Sequence, residues 1–516
     1  MTARLRTPVM GAVLLAAAVA LAGCAGTGGS SGSTRGGSAV GPTGGGAAAS
    51  GNRPARSSEP AVPSRSGVVE QPPKELDPAV VPQSTFAMDV DTASYDHARS
   101  LLEQGQLPDP AGVRPEEFVN AFRQDYPQPP GDGFSVTLDG ARLPEQQHPV
   151  PAGDVRLLRV GLQTRADDPA ARPDAALTVV VDVSGSMGEP GKLALVQQAL
   201  HTFVDQARPS DSLAIVTFNE DAHVLRPMTA VRERAVLHAA IDELAAEGST
   251  NLEGGLVQGY QVAREGFRPG ATNRVVLLSD ALANVGETDA GPILAQVREA
   301  AAKQITLLGV AVGNDYGDAL MEQLADSGDG FVVYVSSQDA ARRAFLETLP
   351  AARSVRALDA KVQVTFDAAT VAGYHLIGYE DRALRASAFR DDRVDGGEVP
   401  AGHSVTALYT VRLRPGAAGH VAHTQLRWQD PHTRAATETG ADVGVADLDG
   451  PFTRAGARLQ VSWTAAFLAE QLRHSDYGRQ VSREQLAQAA DAAAARTEDP
   501  AVRALAAAVR SLAEAR

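Results

Sequence analysis

The chain has 516 residues, with 62 Asp and Glu against 47 Lys and Arg, for a formal net charge of −15. That length exceeds what one core organises, and a hydrophobic content of 44% is ordinary for globular material, so two or three domains are expected. The acidic balance argues against nucleic acid as a partner, because phosphate neutralisation needs clustered Lys and Arg.

The chain opens with Arg4 and Arg6 before an apolar stretch, Val9 to Ala22, too short for a comfortable spanning helix. A positive start, a short apolar core and small residues before a cut site describe an export signal over residues 1–24. The run Leu21-Ala22-Gly23-Cys24 resembles a bacterial lipobox, which implies cleavage before Cys24 and lipidation of its thiol. A diacyl-type anchor supplies more than one acyl chain, enough for stable attachment. The expected location is therefore the cell membrane, lipid-anchored on its extracytoplasmic face. Cys24 is the single cysteine, so no disulfide is available and stability rests on packing. Residues 25–80, rich in Gly, Ser, Ala and Pro, cannot bury enough surface to offset their ordering entropy and read as a disordered tether.

An N-terminal segment over 84–165 follows. Phe86 to Val90 suggests a strand, and Thr92 or Ser94 could cap a helix bearing Ala98, Leu101 and Leu102. The run after Pro115 gives a second helix, with strands at Phe134 to Leu138 and Arg156 to Leu162. Over 175–350 the pattern becomes strands alternating with helices. Strands are predicted at Ala176 to Asp182, Ser212 to Phe218, Arg274 to Asp280, Ile305 to Val312 and Phe331 to Val335. Helices are predicted at Lys192 to Ala207, Val231 to Glu247, Leu252 to Gly266, Ile293 to Ala302, Ala319 to Ala325 and Ala340 to Leu349. Apolar strands without alternation, each followed by an amphipathic helix, imply a doubly wound, mostly parallel α/β sheet. Over 354–460, strands at Lys361 to Phe366, Tyr374 to Tyr379, Ser404 to Leu413 and His420 to Trp428 lack helices between them, which suggests an antiparallel, half-exposed sheet. Residues 461–516 return to helix, with Phe467, Leu468 and Leu472 first and Val502, Leu505, Val509 and Leu512 later.

In a doubly wound sheet, ligands gather at the carboxyl ends of the strands. Three segments bring oxygen donors to that edge: Asp182, Ser184 and Ser186 in DVSGSM, Thr250 in GSTN, and Asp280 after VVLLS. A carboxylate and hydroxyls at such spacing can converge on one hard cation. These motifs resemble the metal-ion-dependent adhesion site of von Willebrand factor type A domains. The resemblance implies that Ser184, Ser186 and Thr250 coordinate a divalent ion directly, usually Mg²⁺ (or Mn²⁺ or Ca²⁺), while Asp182 and Asp280 act largely through water. Neutral hydroxyls leave the ion's charge poorly compensated, so it can attract an Asp or Glu of a protein partner. Where that family usually has Gly after the last aspartate, this chain has Ala281; if the position needs a positive φ, Ala costs about 1 kcal/mol. STFAMDVDTASYDHARSLLEQGQ and YHLIGYEDRAL with VDGGEVPAGHSVTALY resemble the segments that flank the A domain in a bacterial group of lipid-anchored or secreted proteins. No activity is established for that architecture.

The expectation is a non-enzymatic, surface-anchored binding protein. Two alternatives are an envelope phosphohydrolase using Asp89 and Asp91 with Mg²⁺, and a structural scaffold with a vestigial metal site. The phosphohydrolase pattern wants Thr or Val four residues after its first aspartate, where Ala93 stands. The acidic loop from Asp391 to Glu398 lacks calcium-loop spacing, and His375 and His403 read as core or edge histidines of strands, not as zinc ligands. No H-E-x-x-H, phosphate loop, nucleophile elbow or dinucleotide fingerprint occurs.

Overall fold

A computed structural model describes residues 75–514, apart from 89–90, 144–152, 167–172, 281–289, 314–318, 329, 336–340, 342–354, 395 and 432. Cys24, residues 25–74 of the tether expected over 25–80, Asp89, Ala281 and nearly all of the helix expected at 340–349 lie outside these residues. The end of that tether is instead held in place, since Leu76 exchanges backbone hydrogen bonds with Tyr374 and Glu75 accepts from Arg412.

In chain order the first elements are β1 (Gln83–Ala87), α1 (Ala93–Glu103), α2 (Pro115–Asn120), β2 (Phe134–Arg142) and β3 (Asp154–Thr164). The alternating region supplies β4 (Ala175–Asp182), α3 (Leu193–Gln206), β5 (Ser212–Phe218), β6 (Ala222–Ala230), α4 (Arg234–Asp242) and α5 (Leu252–Glu265). It continues with β7 (Thr272–Ser279), α6 (Ala290–Ala301), β8 (Ile305–Val312), α7 (Ala319–Ser327) and β9 (Phe331–Val335). Then come β10 (Val355–Phe366), β11 (Val371–Ile377), β12 (Ala383–Leu384), β13 (Val399–Pro400), β14 (Ser404–Leu413), β15 (His420–Gln429) and β16 (Ala436–Gly444). The helices α8 (Ala457–Leu472), α9 (Arg483–Thr497) and α10 (Pro500–Glu514) close the chain.

Among the described residues, the central sheet has the order β6-β5-β4-β7-β8-β9, parallel except for the β5–β6 edge pair. Every residue of β4 is buried, as expected for a strand covered on both faces. Alternate residues supply opposite cores: Leu177, Val179 and Val181 pack with α3 and α4, whereas Val180 packs with α5 and α6. The predicted strand positions therefore hold, and the fold is α/β with a doubly wound sheet beside a β-rich region.

The flanks are joined across the α/β region. β1 pairs antiparallel with β10, and β3 pairs with both β2 and β14. Two antiparallel sheets result, β12-β1-β10-β15-β16 with β13 on β10, and β11-β14-β3-β2. Phe86, Val160, Val362, Tyr409 and Leu426 pack between them. The second sheet differs from the half-exposed expectation. Its outer residues Leu157, Ile377 and Leu408 lie under a helical layer built from α1, α2, α8, α9 and α10. Consistently, α8 is buried nearly all round, with Trp463 packed on Phe452 and Phe467, while Trp428 packs on Phe134 between the sheets.

Candidate metal centre

The site begins where β4 stops. Val183 N–H donates to the Phe218 carbonyl at the end of β5 (2.9 Å), and the Val183 carbonyl accepts from Glu247 N–H (2.7 Å). Gly185 N–H then donates to the Gly248 carbonyl (3.0 Å). These bonds dock the serine loop against the 248–251 loop, the carrier of Thr250. Gly248 has φ +78°, a left-handed conformation that glycine adopts without steric cost. Asn219 braces the same loop: its carbonyl accepts from Asn251 N–H (2.6 Å) and its side chain donates to the Glu247 carbonyl (3.2 Å). Asn251 in turn caps α5 by accepting from Gly254 N–H (3.0 Å).

The two aspartates have different duties. Asp182 is fully buried; one oxygen accepts from Ser184 N–H (2.8 Å) and the other from the Ser279 hydroxyl (2.6 Å). Burial pushes its carboxyl above the ordinary aspartate range, against the hydrogen bonds from Ser279 and Ser184. Asp280 accepts from the Ser186 hydroxyl through Oδ1 (2.9 Å) and from the Lys192 ammonium through Oδ2 (2.7 Å). Lys192 also reaches Glu189 at 2.8 Å. Burial works to lower the Lys192 pKa, but the hydrogen bonds to Asp280 and Glu189 outweigh it and hold the ammonium above the usual lysine value.

Ser184 Oγ and Ser186 Oγ stand 3.1 Å apart, with Ser184 buried and Ser186 partly open. Two oxygens at right angles around Mg²⁺, each at 2.0–2.1 Å, stand about 2.9 Å apart, so the serine pair fits adjacent positions of that octahedron. Among the described residues, no group of three or more His, Cys, Asp or Glu forms a metal cage. Hydrogen bonds thus link Asp182, Ser184, Ser186 and Asp280, and Thr250, itself buried, lies on the adjoining loop. Such an arrangement would hold a hard cation and supply Lewis-acid attraction for an anionic oxygen.

Sequence reasoning missed Ser279, Asn219 and Lys192. The motif gave no sign of Lys192, because its role depends on the loop after β4 delivering the start of α3 to Asp280, which follows β7. The rival aspartate is employed elsewhere: Asp91 is buried, accepts from Val332 N–H at the start of β9 (3.0 Å) and pairs with Arg382 (3.4 Å).

Residues 176–348 match the von Willebrand factor type A domain, residues 70–149 match the von Willebrand factor family, and residues 354–420 match the C-terminal domain of the uncharacterized protein YfbK. YfbK of Escherichia coli (strain K12) is 32% identical over 448 residues, covering 81% of this chain and 76% of that protein. The chain belongs to the YfbK family of von Willebrand factor type A proteins. The chain carries the A domain and the YfbK C-terminal domain, and von Willebrand factor type A domains commonly serve as metal-dependent adhesion or interaction modules. Among solved structures, the von Willebrand factor type A protein from Catenulispora acidiphila covers 72% of this chain and 89% of its own, at 18% identity and a TM-score of 0.42. Proximal thread matrix protein 1 from the mussel byssus, with a zinc-occupied MIDAS motif, covers 35% of this chain and 48% of its own, at 16% identity and a TM-score of 0.30.

Proposed function

We propose that this protein is a surface-anchored, metal-dependent binding protein. Ser184, Ser186 and Thr250 hold Mg²⁺ (or Mn²⁺ or Ca²⁺), Asp182 and Asp280 support them, and the ion recruits an Asp or Glu from a protein partner. The observation that carries this reading is the Ser184–Ser186 hydroxyl pair, 3.1 Å apart and backed by Asp280. Hydroxyl ligands bring no negative charge, and Lys192 already compensates one oxygen of Asp280. An ion held there keeps most of its attraction for an incoming carboxylate. The employment of Asp91 in holding β9 and Arg382 favours binding over phosphoryl chemistry.

Isothermal titration of Mg²⁺ into the full chain tests the metal. The expected result is one ion bound by the native protein and none by the Ser184→Ala/Ser186→Ala variant. Equal binding by both would remove the mechanism. Capture of a partner with and without chelator then tests metal-dependent recruitment. Anchoring through Cys24 belongs to the same proposal: Cys24→Ser should move the chain from the membrane fraction to the soluble fraction.

A further inference from the structure

Away from that site, α3 and α4 carry matching sequences, His201-Thr-Phe-Val-Asp205 and His238-Ala-Ala-Ile-Asp242. Residues four apart on a helix share a face, so each helix presents one imidazole and one carboxylate to the other. The pairing is crosswise: His201 Nε2 lies 3.1 Å from Asp242, and His238 Nε2 lies 3.1 Å from Asp205. The two Nδ1 atoms face each other at 2.7 Å. The ring centroids are 5.0 Å apart with planes within 25°, so the rings meet end to end and do not overlap face to face.

Hydrogen accounting makes this arrangement informative. A carboxylate only accepts, so each Nε2 must donate to its aspartate. Both Nδ1 atoms then present lone pairs to one another, and a positive species has to lie between them. A single shared hydrogen meets that need, and so does a metal ion. An imidazole whose outer N–H is held by a carboxylate is the usual form of a metal-bound histidine, because the carboxylate fixes the tautomer and raises the ring's basicity. The histidines on β15 are arranged the other way. There the Asp442 carboxylate lies between His420 (3.1 Å) and His423 (2.8 Å), which leaves no such gap.

We propose that His201 and His238 form a second metal site, taking a borderline divalent transition ion of the Zn²⁺ class through both Nδ1 atoms, with Asp242 and Asp205 as positioning residues. Imidazole nitrogen selects such ions over Mg²⁺. Tetrahedral zinc at 2.0–2.1 Å needs its nitrogens roughly 3.3 Å apart, so the rings must separate by about 0.6 Å. Both side chains can give that much, being 30% and 28% exposed, and that exposure admits water to the remaining positions. The bound ion would clamp α3 to α4, on the face of the sheet opposite α5 and α6.

Zinc titrated into the full chain in excess Mg²⁺, which occupies the hydroxyl site, tests the proposal. The expected result is one zinc bound, with a rise in melting temperature. Binding should survive Ser184→Ala/Ser186→Ala, vanish in His201→Gln/His238→Gln and weaken about 10–100-fold in Asp205→Asn/Asp242→Asn. No zinc uptake would overturn it, as would uptake lost only in the serine variant. Should the double histidine variant fail to fold, imidazole ¹⁵N spectra of the native chain decide. Two Nδ1 resonances must move on zinc addition, and unmoved resonances reject the site.

Discussion

Lys192 sets the electrostatic starting point of the hydroxyl site. Its ammonium is hydrogen-bonded to the same carboxylate that holds Ser186, so any divalent ion there feels a positive neighbour. Lys192→Met should therefore bind Mg²⁺ about tenfold more tightly, ~1.4 kcal/mol. Without metal the variant should lose about 1–3 kcal/mol, because the buried Asp280 carboxylate is left under-satisfied. Calorimetry with Mg²⁺ and melts in chelator check the two halves; unchanged affinity would place Lys192 outside the ion's field. Glu470 illustrates a different residue-scale effect. It is buried on α8, and burial raises its carboxyl above the ordinary glutamate range, against the pull of Ser475 and Arg473. The folded state thus holds this proton more tightly than the unfolded state. The Glu470 contribution is most favourable below the unfolded glutamate value and declines as pH rises through the raised one. Glu470→Gln should gain on the order of 1 kcal/mol at neutral pH and flatten that decline, as read from denaturant midpoints across pH.

Among elements, α5 couples packing to the site because its first turn follows Thr250. It lies close enough to the sheet that a Cβ at Gly255 would meet the Phe218 ring at 2.6 Å and one at Gly259 would meet Val180 Cγ2 at 2.3 Å. Gly259→Ala should cost about 1–3 kcal/mol by overpacking and weaken Mg²⁺ binding as the helix start shifts. Thermal melts and Mg²⁺ calorimetry on the variant check both effects; a neutral result would mean α5 can slide freely. Element boundaries also show where local pattern was outvoted. The helix expected over Val231 to Glu247 is regular only from Arg234 to Asp242, because Glu247 N–H is bonded to the Val183 carbonyl and draws the chain into the site. The expected hydroxyl cap on α1 is likewise absent: Thr92 makes no side-chain cap, and Ser94 N–H donates to the Glu117 carboxylate of α2 (2.7 Å). β16 went unread because ATETGADVG is an exposed, polar edge. Helix α9 lies inside the stretch expected to be helical, but its alanine-rich face carries no apolar stripe to mark its bounds; Ser482 and Gln485 set its start with a capping box.

At the scale of the molecule, the A domain is inserted between partners that complete one another's sheets. β1 and β3 are hydrogen-bonded along their lengths to β10 and β14, each more than 240 residues away in sequence. Residues 84–174 produced alone should therefore show no cooperative unfolding transition, since β3 would lose its β14 edge and its faces their cover. A sharp calorimetric transition for that fragment would show that the segment stands on its own. The insertion also ties the A domain to its flanks, as Asp91 holds β9 and His97 of α1 contacts Tyr334 at 3.3 Å.

The doubly wound A domain and the oxygen donors at its edge are legible in local stretches of the chain. Both are local properties: fully apolar strands such as Ala175–Asp182 have no solvated face, and D-x-S-x-S needs only a turn to gather its oxygens. Tertiary structure alone decided the rest, because each remaining contact joins residues far apart in the chain. The pairing of β3 with β14, the helical layer over that sheet, the Lys192–Asp280 contact and the facing imidazoles of His201 and His238 all depend on how finished elements pack. No periodicity within a segment records which other segment will lie against it.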